Sequence, residues 1–152
     1  MATAAAIPAR ISVPPKKGFF KWAIAVSAAL GAMLEIVDTS IVNVALNDMQ
    51  AALGATLSEI GWVVTSYAIA NVIILPLTAW LGNVFGKKRY FVFSLAAFTV
   101  ASMLCGMATS LHMLIAARVL QGLCGGGLLA KAQTILFENF PPDEQGTAQG
   151  IF

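Results

Sequence analysis

Charge is what this chain has least of. Charged residues are 11% of its 152, under half of the roughly 25% with which water-soluble domains cover their surface. Hydrophobic residues make up 59%, which fits neither a soluble domain nor a disordered chain. The nine Lys and Arg exceed the seven Asp and Glu by a formal +2 and are scattered, unlike the basic face of a nucleic-acid binder. Cysteine occurs only at Cys105 and Cys124, both in apolar stretches, so the pair reads as packing residues rather than a disulfide framework. The single histidine, His112, has no second ligand at metal-binding spacing. With no metal-ligand cluster, nucleophile elbow or phosphate loop, the sequence supports no enzyme reading and implies no metal or cofactor. What remains is an integral membrane protein: all-α, a polytopic bundle of membrane helices.

The long apolar runs set the spans. Ile60 to Gly86 holds 27 consecutive uncharged residues, and a bilayer core of ~30 Å needs about 20 helical residues to cross it. Its second-span core is taken as 60–82. The uncharged run from Tyr90 to Ala117 is too long for one crossing, and the polar Thr109-Ser110-Leu111-His112 segment divides it. The third span is expected at about 90–108 and the fourth at about 111–137, stopped by Pro141-Pro142, which cannot continue a helix. The first is expected at about 22–46, apolar apart from Glu35 and Asp38, and a fifth starts at about 147–152. Residues 1–21 read as a cytoplasmic tail and 22–152 as a partial N-terminal membrane domain.

Seven of the nine basic residues fall on one side: Arg10, Lys16, Lys17 and Lys21 before the first span, and Lys87, Lys88 and Arg89 between the second and third. The positive-inside rule makes that side cytoplasmic. The expected outer loops, 47–59 and 107–112, contain no Lys or Arg. The segment after the fourth span carries Glu138, Asp143 and Glu144, acids that weigh little in this rule.

Chemistry concentrates in three places. Glu35 and Asp38, three apart, put two carboxylates on one helical face. Ionisable groups at that depth are costly unless they face protein or water, which makes them candidates for a proton relay or a substrate site. On the fourth span, Arg118 and Gln121 precede Gly122, Gly125 and Gly126; Gly122 and Gly126 form a small-xxx-small pair that lets another backbone approach closely. Lys131 has two readings, a cation snorkelling to the cytoplasmic headgroups or one lining a cavity. Between the second and third spans, Gly82, Asn83, Gly86, Lys87, Lys88 and Arg89 read as a tight, basic cytoplasmic turn. Depth arithmetic pairs the two best candidates. Asp38 lies about 24 Å along the first span, and Arg118 about 20 Å above the inner surface on the fourth.

Together these segments resemble the start of a major facilitator superfamily transporter, of the fourteen-span drug:proton antiporters of the EmrB/QacA type. LEIVDTSIVNVAL, from Leu34 to Leu46, is similar to that family's first-span motif, with Asp38 at its acidic position and Asn43 at its asparagine. Trp62 to Phe91 is similar to the second span and the superfamily's loop motif, and Arg118 to Gly126 matches RxxQGxxxG, whose arginine is linked in the family to proton coupling. The chain departs at Asn83, where the superfamily usually has Asp, at Val84, where a basic residue follows, and at Asn47, where the family has proline.

The resemblance implies a proton-coupled efflux transporter working by alternating access, with Asp38, Arg118 and Glu35 as proton-coupling residues. Its implied partners are the lipid bilayer, protons and lipophilic small molecules, together with a periplasmic adaptor and an outer-membrane channel. Its implied location is the bacterial inner membrane, with the N-terminus cytoplasmic. Transporters of this kind are about three times longer, so the chain is expected to be an N-terminal fragment, inactive alone. A second reading is a free-standing four-span protein that acts as a homo-oligomer or accessory subunit, using the small-residue face of the fourth span.

Overall fold

The computed structural model describes residues 18–150. Six helices run in order: α1 (Gly18–Leu53), α2 (Leu57–Phe85), α3 (Lys87–Gly106), α4 (Leu111–Gly125), α5 (Leu128–Asn139) and α6 (Gln145–Gln149). There is no strand among the described residues. Four apolar segments are long enough to cross a membrane: Phe20–Leu53, Leu57–Phe85, Lys87–Gly106, and Leu111–Asn139, which is made of α4 and α5.

α1 and α2 are longer than the expected first and second spans. The outer loop expected over 47–59 shrinks to the turn at 54–56, because Gly54 reverses the chain at φ +62 and Thr56 caps α2. The Thr56 hydroxyl accepts the Glu59 N–H at 3.3 Å, while the Glu59 carboxylate accepts the Thr56 N–H at 2.9 Å. This reciprocal box satisfies two donors that a helix start leaves open. The basic turn expected over 82–89 contracts to Gly86 alone, at φ +85. Gly82 and Asn83 belong to the last turn of α2, and Lys87 to Arg89 open α3. At the other expected outer loop the Ser110 hydroxyl caps α4, accepting the Met113 N–H at 3.3 Å.

The fourth span is not one helix. Gly126 and Gly127 interrupt it, and Gly127 adopts φ +80, a left-handed backbone that favours glycine. The helix ends before Pro141, as expected, and α6 begins two residues ahead of the expected fifth span. Residues 18–21, assigned to the tail, are the first turn of α1. The rest of the tail and the last two residues of the expected fifth span lie outside the described residues.

α2 and α3 pack along α4, and α1 packs along α5. The middle of the core joins Ala28 and Ala32 of α1 to Tyr67, Phe91, Phe98, Leu128 and Ala132. One end is closed by Val42, Ile60, Val63 and Leu114, the other by Ala25, Leu136, Phe140 and Ala148. Trp22 meets Phe140 edge-on there, with ring centroids 5.2 Å apart. The same end gathers the basic residues. Lys21 pairs with Glu144, and Lys87 with Glu138, so one acid in the last turn of α5 and one beyond it neutralise cations at their own end. Large apolar side chains such as Val44, Trp62, Val72 and Phe93 point outward, as lipid-facing positions do.

Candidate functional site

Asp38 comes from the middle of α1, and Arg118 and Gln121 from α4, where a spacing of three puts both on one face. Arg118 Nη1 donates to Asp38 Oδ2 at 2.7 Å and to Gln121 Oε1 at 2.8 Å. Gln121 Nε2 donates to Asp38 Oδ1 at 2.8 Å, which closes a ring of three hydrogen bonds. Arg118 is 3% exposed and Gln121 fully enclosed. Cys105 of α3 adds a thiol donor 3.4 Å from Gln121 Oε1, and the guanidinium carbon of Arg118 lies 5.7 Å from the centre of the Tyr67 ring. Such a cluster satisfies both carboxylate oxygens at once. Removing one partner would leave the other as an uncompensated charge in a low-dielectric interior.

Glu35 lies one turn away and does not join this ring. Its carboxylate accepts Asn71 Nδ2 at 3.0 Å on one oxygen and the Leu129 N–H at 3.2 Å on the other. Asn71 Nδ2 is also 3.4 Å from the Tyr67 hydroxyl. A polar path therefore runs from Asp38 and Arg118 past Tyr67 and Asn71 to Glu35. The sequence carried a signal for the two α2 members that its reading passed over: Tyr67 and Asn71 are four apart, on one face of an otherwise apolar span.

Lys131 turns into the bundle. It is 8% exposed, its Nζ donates to Ser94 Oγ at 3.0 Å, and it sits 4.0 Å from the centre of the Tyr90 ring. It lines a cavity of about 360 Å³ with Thr78, Asn83, Lys87, Tyr90 and Thr134. Neither Ser94 nor Tyr90 stood out in the sequence, because a hydroxyl and an aromatic ring are ordinary in an apolar helix. Of the loop-motif residues, Gly82 is buried and Asn83 exposed, and Lys87, Lys88 and Arg89 are exposed around the Gly86 turn. Gly122 and Gly126 do allow close approach, and the backbone that approaches is that of α2: a Cβ on Gly122 would lie 2.6 Å from Tyr67 O. The face on which a homo-oligomer reading relied is thus covered within the chain.

The bundle holds a buried acid–guanidinium pair between its first and fourth apolar segments, and comparison with known proteins gives it a family. The model of the Major Facilitator Superfamily matches residues 28–152. The chain belongs to that superfamily. It is a multi-pass membrane protein of a transporter family, not of an enzyme family. Among the superfamily's characterised members, the multidrug export protein EmrB of Haemophilus influenzae is 38% identical over 135 residues, covering 89% of this chain and 26% of that protein. EmrB of Escherichia coli K12 is 38% identical over 127 residues, covering 84% and 25%. The fatty acid resistance protein FarB of Neisseria gonorrhoeae is 35% identical over 139 residues, covering 91% and 27%. The chain spans about a quarter of the length of these superfamily relatives.

Proposed function

We propose that this chain forms the first part of a proton-coupled exporter of lipophilic compounds, with Asp38 as the coupling acid and Arg118 as its switchable partner. The observation that carries the reading is the closed Asp38–Arg118–Gln121 ring, buried between α1 and α4. Separating the Asp38 carboxylate from the Arg118 guanidinium during alternating access would move a proton on and off at a fixed depth. Glu35 serves the same proton path from the adjacent turn. The relatives named as multidrug export proteins support lipophilic drugs as the cargo.

In this reading the Gly18 end, the Gly86 turn and α6 face the cytoplasm of a bacterial inner membrane, since they gather Lys21, Lys87, Lys88 and Arg89. A periplasmic adaptor and an outer-membrane channel complete the route in a cell with two envelopes. The cavity of this fold lies between two halves, and these helices line part of one, so the 152-residue chain alone exports nothing. The test is Asp38→Asn in an exporter that contains this sequence as its first part. Downhill exchange of a lipophilic dye in vesicles should persist while export driven by a proton gradient is lost. Unchanged uphill export with unchanged pH dependence would refute the role of Asp38.

A further inference from the structure

The carboxylates of Glu35 and Asp38 on α1 have different partners. Asp38 faces the side chains of α4, whereas Glu35 reaches the point at which the fourth span breaks. There α4 has ended at Gly125 and α5 starts at Leu128, and the first N–H groups of a helix have no partner inside it. Glu35 Oε2 accepts one of them, from Leu129, at 3.2 Å. Asn71 of α2 steadies the same carboxylate through Oε1. On the other side of the break, the single hydroxyl hydrogen of Thr78 is shared between the Ile74 carbonyl of its own helix, at 3.0 Å, and the Gly126 carbonyl, at 3.2 Å. The interruption is therefore gripped from α1 and from α2. Between the two grips lies Gly127, whose left-handed backbone leaves α5 free to take a direction different from that of α4.

We propose that Glu35 is a positioning residue that latches α5 at a hinge within the fourth span: its carboxylate, held by Asn71, fixes the angle between α4 and α5 through the Leu129 N–H. α5 carries Lys131 and the pairing of Glu138 with Lys87, so swinging it would move the whole lower half of the span. A negative group at a helix start is favoured by the helix dipole as well as by the hydrogen bond. The latch concerns the geometry of two helices and holds whatever the protein transports, so its failure and that of the exporter reading are separable.

The test uses spin labels on the exposed positions Met113 of α4 and Thr134 of α5, in a Cys105→Ser, Cys124→Ala background reconstituted in lipid nanodiscs. A straight span would hold these sites about 31 Å apart, a range that pulsed electron resonance reads well. A second pair, Met113 and Phe93, reports on the α3–α4 packing. Glu35→Ala should broaden or shift the 113–134 distance and leave 113–93 unchanged. It should also make the Leu129 amide exchange about tenfold faster, as loss of a hydrogen bond to a charged group implies. Glu35→Gln keeps the shape but offers one acceptor to two donors, and should do the same to a smaller extent. Unchanged 113–134 distances and unchanged exchange in both variants would overturn the latch. If Glu35→Ala disturbs the 113–93 control, Glu35→Gln decides; should that variant disturb the control as well, Glu35 holds the whole bundle and not a hinge, and the proposal fails.

Discussion

Replacing Gly122 with alanine isolates the contact that sets the α2–α4 distance. A Cβ there would lie 2.6 Å from the Tyr67 carbonyl oxygen and 2.8 Å from the Ala70 Cβ. The first of these is backbone, so no side-chain rotation relieves it. To reach ordinary van der Waals contact near 3.4 Å, α2 must retreat by about 0.8 Å along a close-packed face. Gly61 of α2 supplies the control, because a Cβ added there meets nothing within 4 Å. Both changes gain the same helix-propensity benefit of about 0.5–1 kcal/mol. That benefit cancels in the comparison, and what is left is the overpacking cost at Gly122, about 1–3 kcal/mol. Thermal melts of the reconstituted protein, followed by circular dichroism, should place Gly122→Ala several degrees below Gly61→Ala. Equal midpoints would refute the argument that α2 backbone rests on this glycine. Gly125→Ala should fall between the two, since the three atoms nearest its Cβ would all belong to the Phe98 ring, the first at 2.4 Å, and a ring can move.

Other expectations follow from single contacts. A cysteine at Ser58, exposed beside the Gly54 turn, should react with an impermeant thiol reagent from outside intact cells, and labelling from the cytoplasmic side alone would invert the proposed orientation. Lys131→Met should leave the thermal midpoint unchanged or raised, because among the described residues the buried ammonium is in close contact with a hydroxyl and a ring but makes no ion pair, and removing a charge so placed relieves its desolvation. A loss greater than about 2 kcal/mol would mean that the ammonium contributes more than these contacts account for.

The sequence made the helices legible because lipid imposes long uncharged runs, and it made Asp38 and Arg118 legible because charges stand out there. It hid the places where glycine acts on the backbone. Gly122, Gly125 and Gly126 read as a packing face, yet their neighbour Gly127 breaks the span, since a triple glycine suits close packing and a left-handed turn equally well. The capping box of Thr56 and Glu59 was written in the Thr-x-x-Glu spacing, but an apolar-run reading places helix ends by hydrophobicity and so left both residues in a loop. Tyr67, Asn71 and Ser94 were missed for another reason. Each is unremarkable alone, and it takes a neighbouring helix to turn it into the partner of an ionisable group.

The reading of this protein rests on Asp38 gaining and losing a proton beside Arg118. An infrared difference spectrum between acid and neutral pH, recorded on the reconstituted protein, observes that event without any substrate. A protonated-carboxyl signal should appear in the wild type, disappear in Asp38→Asn and survive in Glu35→Gln. A spectrum unaltered by Asp38→Asn would show that Asp38 does not take up the proton, and the coupling acid would have to be sought elsewhere.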